Sequence, residues 1–407
     1  MPWGQGWAAT SRTKCNNIIL DKVSDQIWWL LKIRHLYIHF PFCSSRCGYC
    51  DFFSQAGRLE LAPAYAEAVR AEMESACPRE AGAGMEPGAH GGALDTVYLG
   101  GGTPSLLGAD LLAPVLSSAL DRCAVGAEVT VEANPSTVTA ELAAGLAEAG
   151  LNRVSLGAQS FDSVLRRNLG RAGAAEAIAT AVGNLRRAGI GNIGLDLMFS
   201  IPGQTAADLE RDLDLALALE PEHLSCYELT VKKGSDFQRR WRKELKRAAG
   251  KGRDFYELTV DRLQGAGYRW YETSNFALPG KECRHNLAYW GGADHVGLGA
   301  GAWSTVGELR WRNIESLESY VEDDAGDWQA IRETEHLDPL QKVAERLLLG
   351  LRRDRGVDRG AVEAVLDKRQ EKGLLRNGFL VNEGGRICLT RQGRFVANEV
   401  CARLLRD

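Results

Sequence analysis

Three cysteines, Cys43, Cys47 and Cys50, share the short stretch CSSRCGYC, with three residues and then two between them. A structural zinc site wants four ligands. The next residues here are Asp51, Phe52 and Phe53, and a carboxylate suits a soft metal site poorly. Three thiolates on one loop can instead hold three irons of a cubane iron–sulfur cluster. The fourth iron then stays open to a chelating ligand. Zinc with a remote fourth ligand and unliganded structural cysteines are the alternatives. The other seven cysteines are scattered and read as small buried hydrophobes in a reducing compartment.

Other candidates recur along the chain. The run LGGGTPS (99–105) holds Gly101, Gly102 and Thr103. Glycines there let backbone approach a ligand closely, or make a tight turn. Glu132 in VEANP either rims the fold or faces a pocket, and Gln159 closes LGAQSF. Arg171 offers a fork suited to a carboxylate. Asp196 lies inside the apolar run GLDLMF, and a charge so placed needs a partner.

A regular scaffold must bring these together. Strand-like runs occur at 35–40, 94–100, 128–134, 153–160, 192–199 and 223–230. Helical spacing of apolar residues fills 63–76, 109–122, 139–149, 174–188 and 206–219. Alternating strands and helices predict an α/β fold with a parallel sheet. Six units fall short of the eight in a closed barrel, so the expectation is a partial (β/α)6 barrel over 35–255, ahead of a doubly wound sheet. Most candidate residues fall at or just past the C-terminal ends of strands, where such folds place their chemistry. Residues 256–320 are expected to complete the core. After about 320 the pattern shifts to helices, then strand, EGG turn, strand and helix, a winged-helix-like domain over 321–407.

The net charge of −4 gives no basic excess for general nucleic-acid binding. The glycine- and alanine-rich 79–93 reads as a surface loop. The basic stretch RRWRKELKR, within 232–255, reads as a solvated helix face, with a contact for an acidic partner or anionic membrane as the lesser reading. Residues 1–34 read as an extension outside the core, whose tryptophans pack on it or rest on a membrane, with a mis-assigned start codon as the equal alternative. They lack the features of a signal peptide.

C-x3-C-x2-C after a first strand resembles the signature of radical S-adenosylmethionine (SAM) proteins. LYIHFPFC…C…YCDF is similar to the branch around oxygen-independent coproporphyrinogen III oxidase. The likeness runs over about 35–405. It implies a [4Fe-4S] cluster whose open iron is chelated by SAM, and one-electron cleavage of SAM to a 5′-deoxyadenosyl radical. It implies SAM contact for Tyr37, Gly101, Gly102, Thr103, Glu132, Gln159, Arg171 and Asp196. His39 either faces SAM or fills its strand.

The oxidase pattern continues to a fourth cysteine, whereas this chain reads CDFFS. Asp51-Phe52, with GGGTPSLL, VEANP, GAQSF and YETSNFA, resembles the HemW-type haem chaperones of the same family. CRHNLAYW (283–290) is similar to the haem motif of that branch. A histidine can ligate haem iron, and aromatic faces suit a porphyrin. The resemblance therefore implies haem contact at His285, Tyr289 and Trp290, with Cys283 a second candidate ligand. A core histidine with two packing aromatics is the plain alternative. The expected partners are haem, a haem-accepting protein and an electron donor. The expected place is the cytoplasm, with peripheral contact at the inner face of the membrane. Coproporphyrinogen oxidation, or another radical SAM reaction, is the competing function.

Overall fold

The computed structural model describes residues 33–77, 94–171, 173–248, 250–322 and 332–406. The expectations for 1–32 and for the loop 79–93 fall outside the described residues.

Six strands carry the expected rhythm: β1 (His35–Phe40), β2 (Leu94–Gly101), β3 (Cys123–Ala133), β4 (Arg153–Gln159), β5 (Ile193–Phe199) and β6 (His223–Glu228). The helices α1 (Ala62–Ala76), α2 (Ala109–Leu120), α3 (Ala140–Glu148), α4 (Glu176–Arg187) and α5 (Ala206–Leu217) link them. Gly150 and Gly189 end α3 and α4 at positive φ, +86° and +85°, where a side chain would be strained.

Three short strands were not visible in the sequence: β7 (Arg269–Trp270), β8 (Asn275–Ala277) and β9 (Val296–Leu298). The sheet order is β9-β1-β2-β3-β4-β5-β6-β8-β7. β9 pairs parallel with β1, so the parallel run has seven strands and β1 is internal. β8 and β7 close the other edge antiparallel.

Strand residues alternate between two faces. Leu36, Ile38 and Phe40, Val97 and Leu99, Val129 and Val131, and Leu195 and Leu197 join the main apolar core with the helices. The intervening residues, Tyr37 and His39, Tyr98, Glu128 and Glu132, Ser155, and Asp196, turn to the other face, where Tyr37 bonds His39 along β1 and the pairs Tyr98–Glu132 and Ser155–Asp196 bond across neighbouring strands. The fold is thus an open parallel barrel with an apolar outer layer and a polar inner face.

Further along, α6 (Gly252–Gly265) precedes β7, and α7 (Arg284–Trp290) lies between β8 and β9. A three-stranded sheet, β10 (Trp303–Val306), β11 (Leu309–Asn313) and β12 (Arg332–His336), follows. The last part has its own core around Leu347, Val362, Leu374, Ile387 and Leu404. It contains α8 (Pro339–Gly350), β13 (Val357–Asp358), α9 (Lys368–Arg376), the hairpin β14 (Leu380–Glu383) and β15 (Arg386–Leu389), and α10 (Ala397–Leu404). The hairpin turns through Gly384 and Gly385, both at positive φ, as a two-residue turn prefers. Between β13 and α9 the chain makes only the short turns Arg359–Val362 and Glu363–Val365, and Leu366 after them is extended.

Candidate functional site

The cysteine loop starts where β1 ends. Phe42–Cys43 forms a short parallel pair with Gln55–Ala56, closing a loop that carries all three thiols. The loop leans on the end of β2. Gly102 N–H donates to Phe40 C=O (2.8 Å) and Thr103 N–H to Phe42 C=O (2.7 Å). A Cβ on Gly102 would stand 2.5 Å from the Phe42 carbonyl oxygen, and one on Gly101, at φ +110°, 2.4 Å from the His39 ring. These two glycines serve contact between protein segments. The Thr103 hydroxyl lies 3.8 Å from Cys43 Sγ.

Among the described residues no three His, Cys, Asp or Glu side chains are gathered around one ion. A zinc ion would need its donors converging at about 2.3 Å. A cubane asks something different, one thiolate for each of three separate irons. Cys43, Cys47 and Cys50 are half-buried and free of disulfides, and on one loop at a strand end they suit that demand. Burial raises the Cys43 and Cys50 thiols above their ordinary range, so metal binding there must release protons.

The other expected SAM residues lie around the same mouth. Tyr37 Oη bonds His39 Nδ1 (3.0 Å), and its ring stacks on Tyr98 at 6.1 Å. His39 Nε2 bonds the Phe53 carbonyl (2.9 Å). That carbonyl only accepts, so Nε2 carries the proton and Nδ1 accepts from Tyr37. Burial pushes the His39 pKa down to about 4. Both ring nitrogens are therefore engaged within the protein, and His39 fills its strand.

Glu132 accepts from Tyr98 Oη (2.9 Å) and Gly101 N–H (3.0 Å). Asp196 accepts from Ser155 Oγ at 3.1 Å. Burial raises its pKa to about 6, opposed by the Ser225 hydroxyl and helped by the nearby Glu132 charge. A carboxyl so poised can hold a proton near neutral pH. Gln159 takes φ +65° at the end of β4, which turns the chain out of the sheet. The guanidinium of Arg171 reaches back toward the Gly157 carbonyl (3.4 Å), and Tyr49 and Cys47 raise its pKa against the cost of burial. The geometry thus gathers Tyr37, Gly101, Gly102, Thr103, Glu132, Gln159, Arg171 and Asp196 beside the thiol loop. Tyr98, which orients Glu132, and Ser155, which holds Asp196, went unnoticed in the sequence. Their signal was their place on the polar face of apolar strands.

The CRHNLAYW segment lies elsewhere. His285 is 4% exposed, at the N-terminal end of the barrel strands. Its Nδ1 bonds Thr96 Oγ1 (2.8 Å), and its ring packs 5.2 Å from Tyr98. Burial drives its pKa well below the ordinary histidine value. Glu128, also buried, accepts from the N–H groups of Arg284 and His285, each at 3.0 Å, and so caps α7. Cys283 Sγ donates to the same carboxylate at 3.5 Å, and burial pushes its thiol up to about 12, which disfavours a thiolate ligand. Trp290 is buried beneath the Arg352 guanidinium at 4.4 Å. Tyr289 is half-buried. As folded, His285 and Trp290 are buried in the core. Glu128 was missed, although a charge inside EVTVE invited the argument applied to Asp196.

A parallel barrel with a three-cysteine loop at its C-terminal mouth defines a radical SAM protein. The Radical SAM superfamily model matches residues 37–216, and the HemN C-terminal domain model matches 337–396. The heme chaperone HemW of Mycobacterium tuberculosis is 38% identical, over 91% of this chain and 94% of that protein. HemW of Lactococcus lactis is 33% identical over 93% and 99%, and that of Bacillus subtilis 32% over 92% and 99%. The chain belongs to the HemW family. Its fold is also that of the Escherichia coli coproporphyrinogen III oxidase HemN, with a TM-score of 0.73 over 92% of this chain and 90% of that one at 20% identity.

Proposed function

We propose that this protein is a haem chaperone that binds a [4Fe-4S] cluster, SAM and haem, and hands haem to an acceptor protein. The observation that carries this is identity of 32–38% to heme chaperones along nearly their whole length. The likeness to the oxidase, at 20%, is one of fold. The absence of a cysteine after Cys50, where the oxidase pattern continues to one, supports the same choice.

Cys43, Cys47 and Cys50 hold the cluster in this reading. The cluster, when bound, supplies an open iron for SAM and one electron for its cleavage. The protein's part is positional. Gly101, Gly102 and Thr103 fix the height of the loop against the sheet. Tyr98 orients Glu132, and Ser155 with Ser225 hold Asp196, so that two carboxyl groups and Arg171 face the SAM position. Haem contact is assigned to the α7 segment, with Tyr289 at its edge, on the likeness of CRHNLAYW to the haem motif of this branch. Three thiols kept free to bind iron call for a reducing compartment, which supports the cytoplasm as the place of action. No helix among the described residues is long and apolar enough to cross a membrane.

The test is anaerobic reconstitution with iron and sulfide, followed by two assays. Haem titration should give a stable Soret band, and mixing with an apo-haem protein should move the haem. Incubation with coproporphyrinogen III, SAM and reductant should leave the porphyrinogen unchanged. Turnover to protoporphyrinogen would sink the chaperone reading in favour of the oxidase.

A further inference from the structure

The segment 232–247 concentrates charge against the trend of the chain. It holds eight exposed basic residues and two acids in a protein of net charge −4. One of those acids, Asp236, is already engaged by Arg239. Such a run, folded into the short helices Asp236–Arg240 and Arg242–Ala248, could be a solvated face and nothing more. Its packing argues otherwise.

The segment is anchored on the cysteine loop. Phe237 is buried, and its ring stands so close to Gly48 that a Cβ there would lie 2.9 Å away. Tyr49 meets the same ring edge-on at 6.3 Å. Leu165, Leu169, Met198, Ile201 and Leu229 complete a separate small core under it. Lys232 Nζ reaches Asp51, the residue after the last cysteine, at 2.8 Å. The apolar side of the segment thus seats on the thiol loop, between Cys47 and Cys50. Its basic side, with Arg242, Lys243, Lys246 and Arg247, faces solvent.

We infer that this basic face docks an acidic one-electron carrier protein that reduces the cluster. The inference rests on the proposed cluster. A cluster within the protein needs electrons from outside, and a partner seated here lies against the loop that holds it. Clustered charge of one sign steers an oppositely charged partner and raises its association rate. The step balances simply. The donor, for example a flavin hydroquinone, loses one electron and one proton to become the semiquinone. The cluster gains the electron and solvent takes the proton.

The experiment uses the full chain and the variant Lys243→Glu/Lys246→Glu, both positions exposed and away from the Phe237 anchor. Reduced flavodoxin, an acidic flavin protein, is the probe, and dithionite is the small-molecule control. Bleaching of the cluster absorbance by flavodoxin should slow at least about tenfold in the variant at low salt. The wild-type rate should fall as salt is raised, while reduction by dithionite stays equal in the two proteins. Calorimetry on the cluster-free protein supplies an independent readout: flavodoxin binds the wild type, and binding is lost in the variant. Equal flavodoxin rates and affinities for both proteins overturn the inference. So does loss of flotation with phosphatidylglycerol vesicles in the variant while flavodoxin binding is unchanged, since the face would then meet a membrane. Failure to assemble any cluster counts against the proposed function, and the calorimetry still decides the docking.

Discussion

Replacing Gly102 by alanine tests how closely the cysteine loop is held to the sheet. The new methyl would lie 2.5 Å from the Phe42 carbonyl oxygen and 2.9 Å from both the Phe40 oxygen and the Phe42 nitrogen. All three are backbone atoms, and the first and second accept the Thr103 and Gly102 hydrogen bonds. No side chain can swing aside to make room. The methyl enters only if the two segments part. Overpacking of this kind costs about 1–3 kcal/mol, and losing one of the two hydrogen bonds adds about 1 kcal/mol. The expected loss of stability in urea is about 2–4 kcal/mol. Because the displaced segment ends at Cys43, iron retained after anaerobic reconstitution should fall with it. Gly265→Ala is the control. It lies in α6, and nothing stands within 4 Å of its Cβ, so it should gain about 0.5–1 kcal/mol. Gly102→Ala unfolding at the wild-type midpoint, with full iron, would show that the loop and sheet are not in close contact.

Acid should destabilise the fold before the carboxylates as a group titrate. Burial holds His39 and His295 at about 4, while in the unfolded chain each titrates near 6.5. Between those values the unfolded state binds more protons, so stability falls with falling pH by about 1.4 kcal/mol per pH unit for each histidine. Asp196, raised to about 6, takes its proton first in the folded state and offsets one of them down to about pH 4. Urea midpoints measured from about pH 7 to about pH 4.5 should drop, and His295→Gln should remove about one histidine's worth of slope. An unchanged slope means His295 is not held neutral. Glu128→Ala should cost about 2–4 kcal/mol by leaving the Arg284 and His285 N–H groups uncapped, with faster hydrogen exchange over 284–290; a loss below about 1 kcal/mol would contradict the capping role. His285→Ala should cost about 3 kcal/mol, from a cavity and the lost bond to the Thr96 hydroxyl, which keeps His35 Nδ1 as its other partner, so any loss of haem binding should come with lost stability. Haem binding abolished at wild-type stability would instead make His285 a direct ligand.

The barrel was legible because each main strand is long and apolar on the side that meets the helices, and each linking helix keeps its own period. The short strands β7, β8 and β9 escaped notice for the opposite reason. Val296–Leu298 lies in a glycine-rich run that looks like a loop, and it is a strand only because β1 offers an open edge. Long-range partners were equally hidden. Glu128 and His285 are 157 positions apart, and no local pattern links them. The thiol loop was legible as a motif. That Gly101 and Gly102 press on Phe40, Phe42 and His39 was not, since a tight approach to protein and a tight approach to ligand call for the same residue.

That ambiguity runs through the site and bears most on His285. The motif around it suggests a ligand, yet its Nδ1 is bonded to Thr96, its backbone to Glu128, and its ring lies against Tyr98. Tyr98 in turn orients Glu132 at the mouth. A single inner-face stack therefore runs from α7 at one end of the barrel to Glu132 at the mouth, where the proposed SAM site lies. Pulling His285 from its seat to meet haem would free Tyr98 on one side, and so loosen Glu132. Haem at α7 and SAM at the mouth would then compete for the same packed column, each favouring a different position of one tyrosine. Haem titrations with and without SAM on the reconstituted protein should show weaker haem binding in its presence. By reciprocity, SAM binding must weaken by the same factor with haem bound. Tyr98→Phe keeps the stack but drops the hydroxyl that reaches Glu132, and should uncouple the two ligands. Haem affinity indifferent to SAM in the wild type would mean that haem binds without disturbing His285, outside this column altogether.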